Sequence, residues 1–585
     1  MKKLILTNLD EFEVESKDSV FLGPWCFRDL SEKEKYWNSH KFDELFTDAK
    51  EFEDTSSYIR GFAEDLLLKY SEKLNKIHKR ENSVGYWRIL LMPWIIRSLE
   101  IFFIRYKQLK IFSDEEYSVS ILKNCHQHEF QNSRDFYNFL LNETGQHFSY
   151  SLLIEFLRPE KFTVSNLPDS ENKIRTNHSK KIERHNAFNE FKRNLGHINR
   201  ILLANLTGLY IDGIKGINTI DIISIATELK RNNTSFLENS INKKDSNEQI
   251  PFKTKHKDFE DFIETVLFQF LPLSFKTDFE MNEKNAKRKL LLLSKRNKLL
   301  LIGAIMGGID SQRFFLAQYK EERKGKLLIS QHGGLSYGIS RSFPAMAMIE
   351  YKNADYFLTW GWTKHANYQV NAIPLPSPQL SKRIGLRNNV TEDLILVGTQ
   401  ARLVNDRLAS RIQTEQCNLY RSEKVRFIKS LDLKNRDKLS YRPYFSEIDS
   451  YPEKDFLRNE IPSLKFIEND FDHKLLSARC VVIDHPGTTF DISISTNIPS
   501  ILFWDRKSWL FTDDGEEILD ILQKARVFHP DGKSAANFIN SISDEIEDWW
   551  NSYETRNSIN LYQSHYAMIS EKWRDEWAGL IKELK

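Results

Sequence analysis

From Lys298 onward the chain repeats one local pattern: a short apolar run, a turn rich in glycine or histidine, then a helix-length stretch. The runs are LLLIGA (Leu299 to Ala304), KLLIS (Lys326 to Ser330), YFLTW (Tyr356 to Trp360), LILV (Leu394 to Val397), VVID (Val481 to Asp484) and SILFW (Ser500 to Trp504). Runs this short and this uniformly apolar read as strands buried on both faces, and helices between them make the sheet parallel. The pattern restarts at Leu394, so it predicts two α/β units in series. Ligands of open parallel sheets bind beyond the carboxyl ends of the strands, which puts the chemistry in the loops that face the cleft between the units.

The rest of the chain is organised around that pair. Before it, strand-like runs (LILTNL, VFLGPW) give way to amphipathic stretches such as SSYIRGFAEDLLLKYSEKLNKIHKR, read as a large helical elaboration of the first unit. Two polar stretches, 166–194 and 231–257, read as solvated helices or loops. Within the second unit, a helix is expected from Val404 to Leu431. The tryptophan-rich stretch from Asp544 to Lys585 is expected to be helical and to pack back across another domain. The expected domains are therefore residues 1–385, residues 386–545 and a closing segment, residues 546–585.

Composition removes several classes of function. The 84 basic and 82 acidic residues nearly cancel, so no basic excess marks the chain as nucleic-acid binding. The four cysteines, Cys26, Cys125, Cys417 and Cys480, stand far apart and are expected as reduced thiols of a cytoplasmic protein. The start, MKKLILTNLDEF, lacks a full apolar signal region. The most apolar stretch, Ile89 to Ile104, is interrupted by Arg97 and Glu100 and is too short to span a bilayer. It reads as a buried helix kinked or started at Pro93, the alternative being a helix lying on a membrane surface.

Two strand-end turns carry the candidate chemistry. In VVIDHPGTTF, His485 ends a strand, Gly487 lets a ligand approach the backbone, and Thr488 and Thr489 begin a helix whose free amides suit a phosphate. In LLISQHGGLSYG, His332 ends a strand before Gly333 and Gly334, and an imidazole there can act as a general base. The alternative for each is a capped turn with a structural histidine. One such turn on each unit suggests that they face each other across one cleft.

Other residues are weighed more evenly. Arg442 in SYRPY is either a phosphate clamp or a surface arginine. Trp360, in ADYFLTWGW with Asp355 and Trp362, either stacks on a sugar or packs in the core. Cys125 to His128 (CHQH) lacks the second ligand pair of a zinc site, and Asp470 to Asp472 is read as a helix start in preference to a metal–nucleotide clamp. No metal is expected. There is no GxxxxGK[ST] loop and no GxSxG elbow, and Gly303, Gly307 and Gly308 do not make a dinucleotide fingerprint.

Taken together, FLGPWC (Phe21 to Cys26), YWRILLMPW (Tyr86 to Trp94), SQHGGLSYG (Ser330 to Gly338), DYFLTWGW (Asp355 to Trp362) and DHPGTTF (Asp484 to Phe490) resemble a transferase family of bacterial O-antigen and surface-polysaccharide loci. That family is distantly similar to GT-B enzymes that use CMP- or CDP-activated donors, such as Kdo, sialic-acid-type and glycerol-phosphate transferases. The resemblance implies a metal-independent GT-B glycosyltransferase with two Rossmann-type domains facing a cleft and a C-terminal helix crossing back. The donor is a nucleotide-activated sugar, and no separate cofactor is needed. A Kdo- or nonulosonic-type keto-sugar would pass from a CMP donor to a glycan or lipid-linked acceptor, in the cytoplasm or at the inner face of its membrane. The second unit would hold the donor phosphate on His485, Gly487, Thr488, Thr489 and Arg442. His332, Gly333, Gly334 and Trp360 would serve the acceptor side. DISIS stands after DHPGTTF where an LEALA-like pattern is usual, so the ribose-binding glutamate of GT-B proteins has no counterpart there. The alternatives are a CDP-polyol phosphotransferase, a nucleotide-sugar epimerase and a non-catalytic glycan-assembly protein.

Overall fold

The computed structural model describes residues 1–13, 16–27, 42, 44–46, 48–123, 128–167, 196–231, 252–307, 309–334, 336–445 and 451–585. Cys125, His126 and most of both polar stretches lie outside the described residues. Among the described residues fifteen strands form three wholly parallel sheets.

The first sheet, in the order β2-β1-β3-β4, is built from β1 (Lys2–Ile5), β2 (Ser19–Phe21), β3 (Tyr117–Ile121) and β4 (Phe162–Asn166). β1 and β2 overlap the strand-like runs LILTNL and VFLGPW, whereas β3 and β4 were not expected. β3 and β4 read YSVSI and FTVSN, and four of the five β4 side chains are exposed. β4 is an edge strand, where polar and exposed side chains are usual, while β3 lies inside the sheet. Two long helices, α1 (Ala49–His78) and α2 (Val84–Ile111), and the shorter α3 (Ser133–Leu141) belong to the same region. α2 is one helix that continues past Pro93, and Ile89 to Ile104 is almost wholly buried, which leaves no apolar face for a membrane surface. No helix among the described residues is long and apolar enough to cross a membrane.

The second sheet runs in chain order: β5 (Tyr210–Asp212), β6 (Leu299–Ile302), β7 (Lys326–Ser330), β8 (Tyr356–Thr359) and β9 (Ala372–Pro374). Its alternating side chains divide between two cores. Leu300, Ile302, Leu327, Ile329 and Phe357 point into the large common core. Leu299, Leu301, Leu328 and Leu358 pack on the other face against Trp573, Trp577, Leu580 and Ile581 of the last helix.

The third sheet has the order β12-β11-β10-β13-β14-β15, from β10 (Leu394–Val397), β11 (Leu439–Arg442), β12 (Lys465–Phe466), β13 (Cys480–Ile483), β14 (Ser500–Phe503) and β15 (Phe528–His529). In chain order this is 3-2-1-4-5-6, the doubly wound arrangement, whose switch point lies between β10 and β13. β10 and β13 pair there from Leu394↔Cys480 to Val397↔Ile483. The helices that matter below are α4 (Cys417–Ser430), α5 (Glu453–Glu460), α6 (Thr488–Ser495), α7 (Tyr553–Tyr566) and α8 (Trp573–Leu584). The helix expected from Val404 begins only at Cys417, so the chain after β10 is a long non-helical loop. Asn405 and Asp406 turn their side chains to local partners there, which competes with helix formation.

Candidate functional site

The turn after β7 is held from below by a residue the sequence did not flag. Gln331 is buried, and its Oε1 accepts from the Trp360 amide at 3.0 Å and from Trp362 Nε1 at 2.8 Å. Its Nε2 donates to the Gly333 carbonyl at 2.7 Å. Three of the amide's four hydrogen-bonding positions are thus spent on fixing the His332–Gly333 turn to the end of β8. Trp360 is only 2% exposed, so the core-packing reading applies to it and its ring offers no face to a sugar.

His332 stands above this support with its side chain one quarter exposed. The Tyr337 hydroxyl lies 2.8 Å from Nδ1 and 2.5 Å from Nε2. Burial, then the charge of Lys215, pushes the imidazole down to about 4. Glu350 Oε2 lies 3.8 Å from Nδ1 and is fully buried. Burial pushes this carboxyl up to about 8, against the pull of the Met306 and Ile305 amides and of Arg97. At neutral pH the two groups are therefore both uncharged, an imidazole beside a carboxylic acid and no ion pair.

The turn after β13 is supported by a buried ionic network. Asp484 Oδ1 accepts from the Tyr420 hydroxyl at 2.8 Å and lies 3.0 Å from His485 Nδ1. Its other oxygen lies 3.3 Å from Lys424 Nζ on α4, a fully buried ammonium that also pairs with Glu453 at the start of α5. Burial alone would raise Asp484, but Lys424, then His485 and Tyr420, outweigh it and hold the carboxylate below its usual range. A side chain on Gly487 would meet His485 Nε2 at 2.7 Å, so the ring lies against this glycine. Gly487 is also the extended N-cap residue of α6, and no side chain caps that helix. Thr488 and Thr489 therefore begin the helix and do not cap it.

Thr488 turns its hydroxyl across the junction instead. The Gly334 amide donates to Thr488 Oγ1 at 3.1 Å, which brings the two turns into contact. A Cβ on Gly334 would meet Asp491 Oδ2 at 1.9 Å and Thr488 Cα at 3.1 Å. Asp491 is fully buried, and burial pushes it up to about 8. It accepts from the Tyr562 hydroxyl on α7 at 2.7 Å.

Against this geometry, a family model described as LIC12162 family transferase matches residues 2–581. The chain belongs to the LIC12162 transferase family. Among curated proteins none matches it.

In this transferase the remaining expected residues lie elsewhere or do other work. Arg442 donates to the Ile467 carbonyl at 3.1 Å and sits over Phe471, at 5.2 Å. It ties β11 to the β12 edge, because it lies on the outer side of β10, away from β13. Asp472 meets Arg383 on the surface at 3.3 Å. Thr489 occupies the first turn of α6, half-buried. Cys26, Cys417 and Cys480 are buried and free. Gln331, Glu350, Lys424 and Asp491 were missed by sequence reasoning. The adjacency of Gln331 to His332 and of Asp484 to His485 was the available signal, whereas Glu350 and Lys424 reach the site from distant segments.

Proposed function

We propose that this transferase is a GT-B-type glycosyltransferase with a nucleotide-sugar donor, acting on a glycan or lipid-linked acceptor of bacterial surface polysaccharide. The observation that carries the reading is the junction itself. The His332 turn and the uncapped start of α6 meet at the carboxyl ends of parallel strands, beside the switch point of a doubly wound sheet. On this reading the donor phosphate lies against the α6 amides, Thr488 and Thr489, where the helix dipole and His485 offset the charge that develops as the phosphate departs. Neutral His332 accepts the proton of the acceptor hydroxyl. A keto-sugar delivered from CMP, in the cytoplasm or at the inner membrane face, is the donor class that the family resemblance favours.

The test is thermal shift of the purified protein against CMP, CDP, UDP, GDP and dTDP. A nucleotide that binds only the folded state at ~100-fold excess over Kd adds about 2.7 kcal/mol. A cytidine-specific shift, lost in Thr488→Ala, supports the donor site and the keto-sugar class. A shift with another nucleotide keeps glycosyl transfer and discards that sugar. The absence of any shift sinks the nucleotide-donor reading.

A further inference from the structure

The loop after β10, which the sequence disguised as a helix, concentrates arginine around one buried carboxylate. Asp406 is 1% exposed. Arg402 approaches its Oδ2 at 2.6 Å and Arg407 at 2.8 Å, while Arg411 stands 3.6 Å from Oδ1. The Tyr137 hydroxyl from α3 donates to the same Oδ2 at 2.6 Å. Arg97 from α2 covers the Tyr137 ring, 4.5 Å from its centroid, and reaches the Met306 carbonyl at 3.4 Å. Met306 donates its amide to Glu350, so the cluster begins one loop away from His332.

The charges in this cluster do not balance. One carboxylate faces three guanidinium groups, and the next acid, Glu100, is pushed by burial up to about 7 and is spent on the Leu408 amide. Burial pulls Arg411 down to about 10, with Arg407 and Arg402 adding repulsion against the pull of Asp406. The three side chains nonetheless remain about one fifth exposed, at 21%, 21% and 22%. Arg411, the guanidinium farthest from Asp406, is thus held without close compensation unless an anion joins it, and the forked donors of all three match phosphate or carboxylate oxygens.

We propose that Arg97, Arg402, Arg407 and Arg411 form a binding site for a multiply charged oxyanion, a phosphate or carboxylate group of a substrate, separate from the start of α6. The site stands on the arginine geometry and does not depend on glycosyl transfer. Its chemistry is shared by a diphosphate and by an acidic sugar, so the probes separate these sources.

The experiment is isothermal titration of the full chain with inorganic pyrophosphate and, separately, with malonate. One of the two should bind, and more weakly as salt is raised. Tighter pyrophosphate assigns the site to phosphate, and tighter malonate assigns it to carboxylate. Arg411→Gln, Arg402→Gln and Arg97→Gln should each weaken binding at least ~10-fold, because each removes a charge-assisted contact. Arg383→Gln, which removes a guanidinium paired with Asp472 and belonging to neither site, should leave binding within about twofold. Arg411 has only one long approach to Asp406, so Arg411→Gln should keep its melting temperature, and Arg411→Lys should recover part of the affinity. Binding unchanged in well-folded Arg411→Gln and Arg97→Gln, binding lost in Thr488→Ala alone, or no binding of either probe overturns the proposal.

Discussion

The backbone amide of Gly334 donates to Thr488 Oγ1 across 3.1 Å, and this bond joins the turn that carries His332 to the helix start that follows His485. On one side stands a glycine with no room for a side chain, and on the other a threonine whose hydroxyl has left its own helix unserved. The contact is local in space and 154 residues apart in sequence.

Gly334→Ala is expected to destabilise the fold by about 1–3 kcal/mol, the range for overpacking in a dense interior. Its Cβ would meet Asp491 Oδ2 at 1.9 Å and the Thr488 backbone at 3.1 Å, and the backbone cannot step aside. Gly487→Ala should behave differently, because its Cβ meets the movable ring of His485 at 2.7 Å. Urea titration should show a large loss of stability for the first. The second should show a small loss together with reduced activity.

Lys424→Met is expected to cost about 3–5 kcal/mol, because it strips the counter-charge from Asp484 and Glu453 inside the protein. Adding Glu453→Gln to it should return part of that loss, since one of the two stranded carboxylates is then neutral. A double-mutant cycle in urea measures the recovery. Strict additivity of the two losses would show that the network is not coupled.

The parallel sheets of the second half were legible because their strands are apolar on both faces, so LLLIGA, KLLIS and VVID could be little else. The first sheet was legible only in β1 and β2, which overlap the runs LILTNL and VFLGPW. β3 and β4 mix serine and threonine with apolar residues, and their pairing spans a long helical excursion. Among site residues, His332 and His485 announced themselves by glycine neighbours at strand ends. Glu350 and Lys424 did not, because a buried charge on a helix looks like a surface charge until tertiary packing encloses it. The Val404 to Leu431 stretch misled for a similar reason. Its arginines and leucines carry helical periodicity, but the Leu408 amide goes to Glu100 and the Ser410 amide to the Ser342 carbonyl, long-range bonds that a helix excludes.

Stability should fall as pH rises through the neutral range, and Asp491 should account for part of it. Its folded-state pKa is raised to about 8 from an ordinary 3.8. The contribution is therefore fully present below about pH 4, where both states hold the proton, and is lost progressively up to about pH 8. Asp491→Asn keeps an acceptor for the Tyr562 hydroxyl but cannot ionise. Between pH 5 and pH 8.5 the variant should lose less stability than the wild type, by about 4 kcal/mol. Equal losses in urea titrations at the two pH values would show that Asp491 does not titrate as argued.

The pairing of His332 with Glu350 predicts an unusual activity profile. A histidine base of ordinary pKa gives a rate that falls below about pH 6.5. Burial holds His332 near 4, so the neutral form persists and kcat/KM should stay level down to about pH 5. Glu350, raised to about 8, ionises on the alkaline side and places a negative charge 3.8 Å from the ring, which makes the imidazole more basic. An inflection near pH 8 should follow, and Glu350→Gln should abolish it while leaving the neutral plateau within about threefold. His332→Gln should lower kcat by ~10²–10⁴ with KM little changed, the range for a general base. The profile is measured as initial rates from pH 5 to pH 9 with the donor that the nucleotide screen selects. An inflection that survives Glu350→Gln would assign the alkaline titration to another group. Full activity in His332→Gln would move the proton transfer away from this turn.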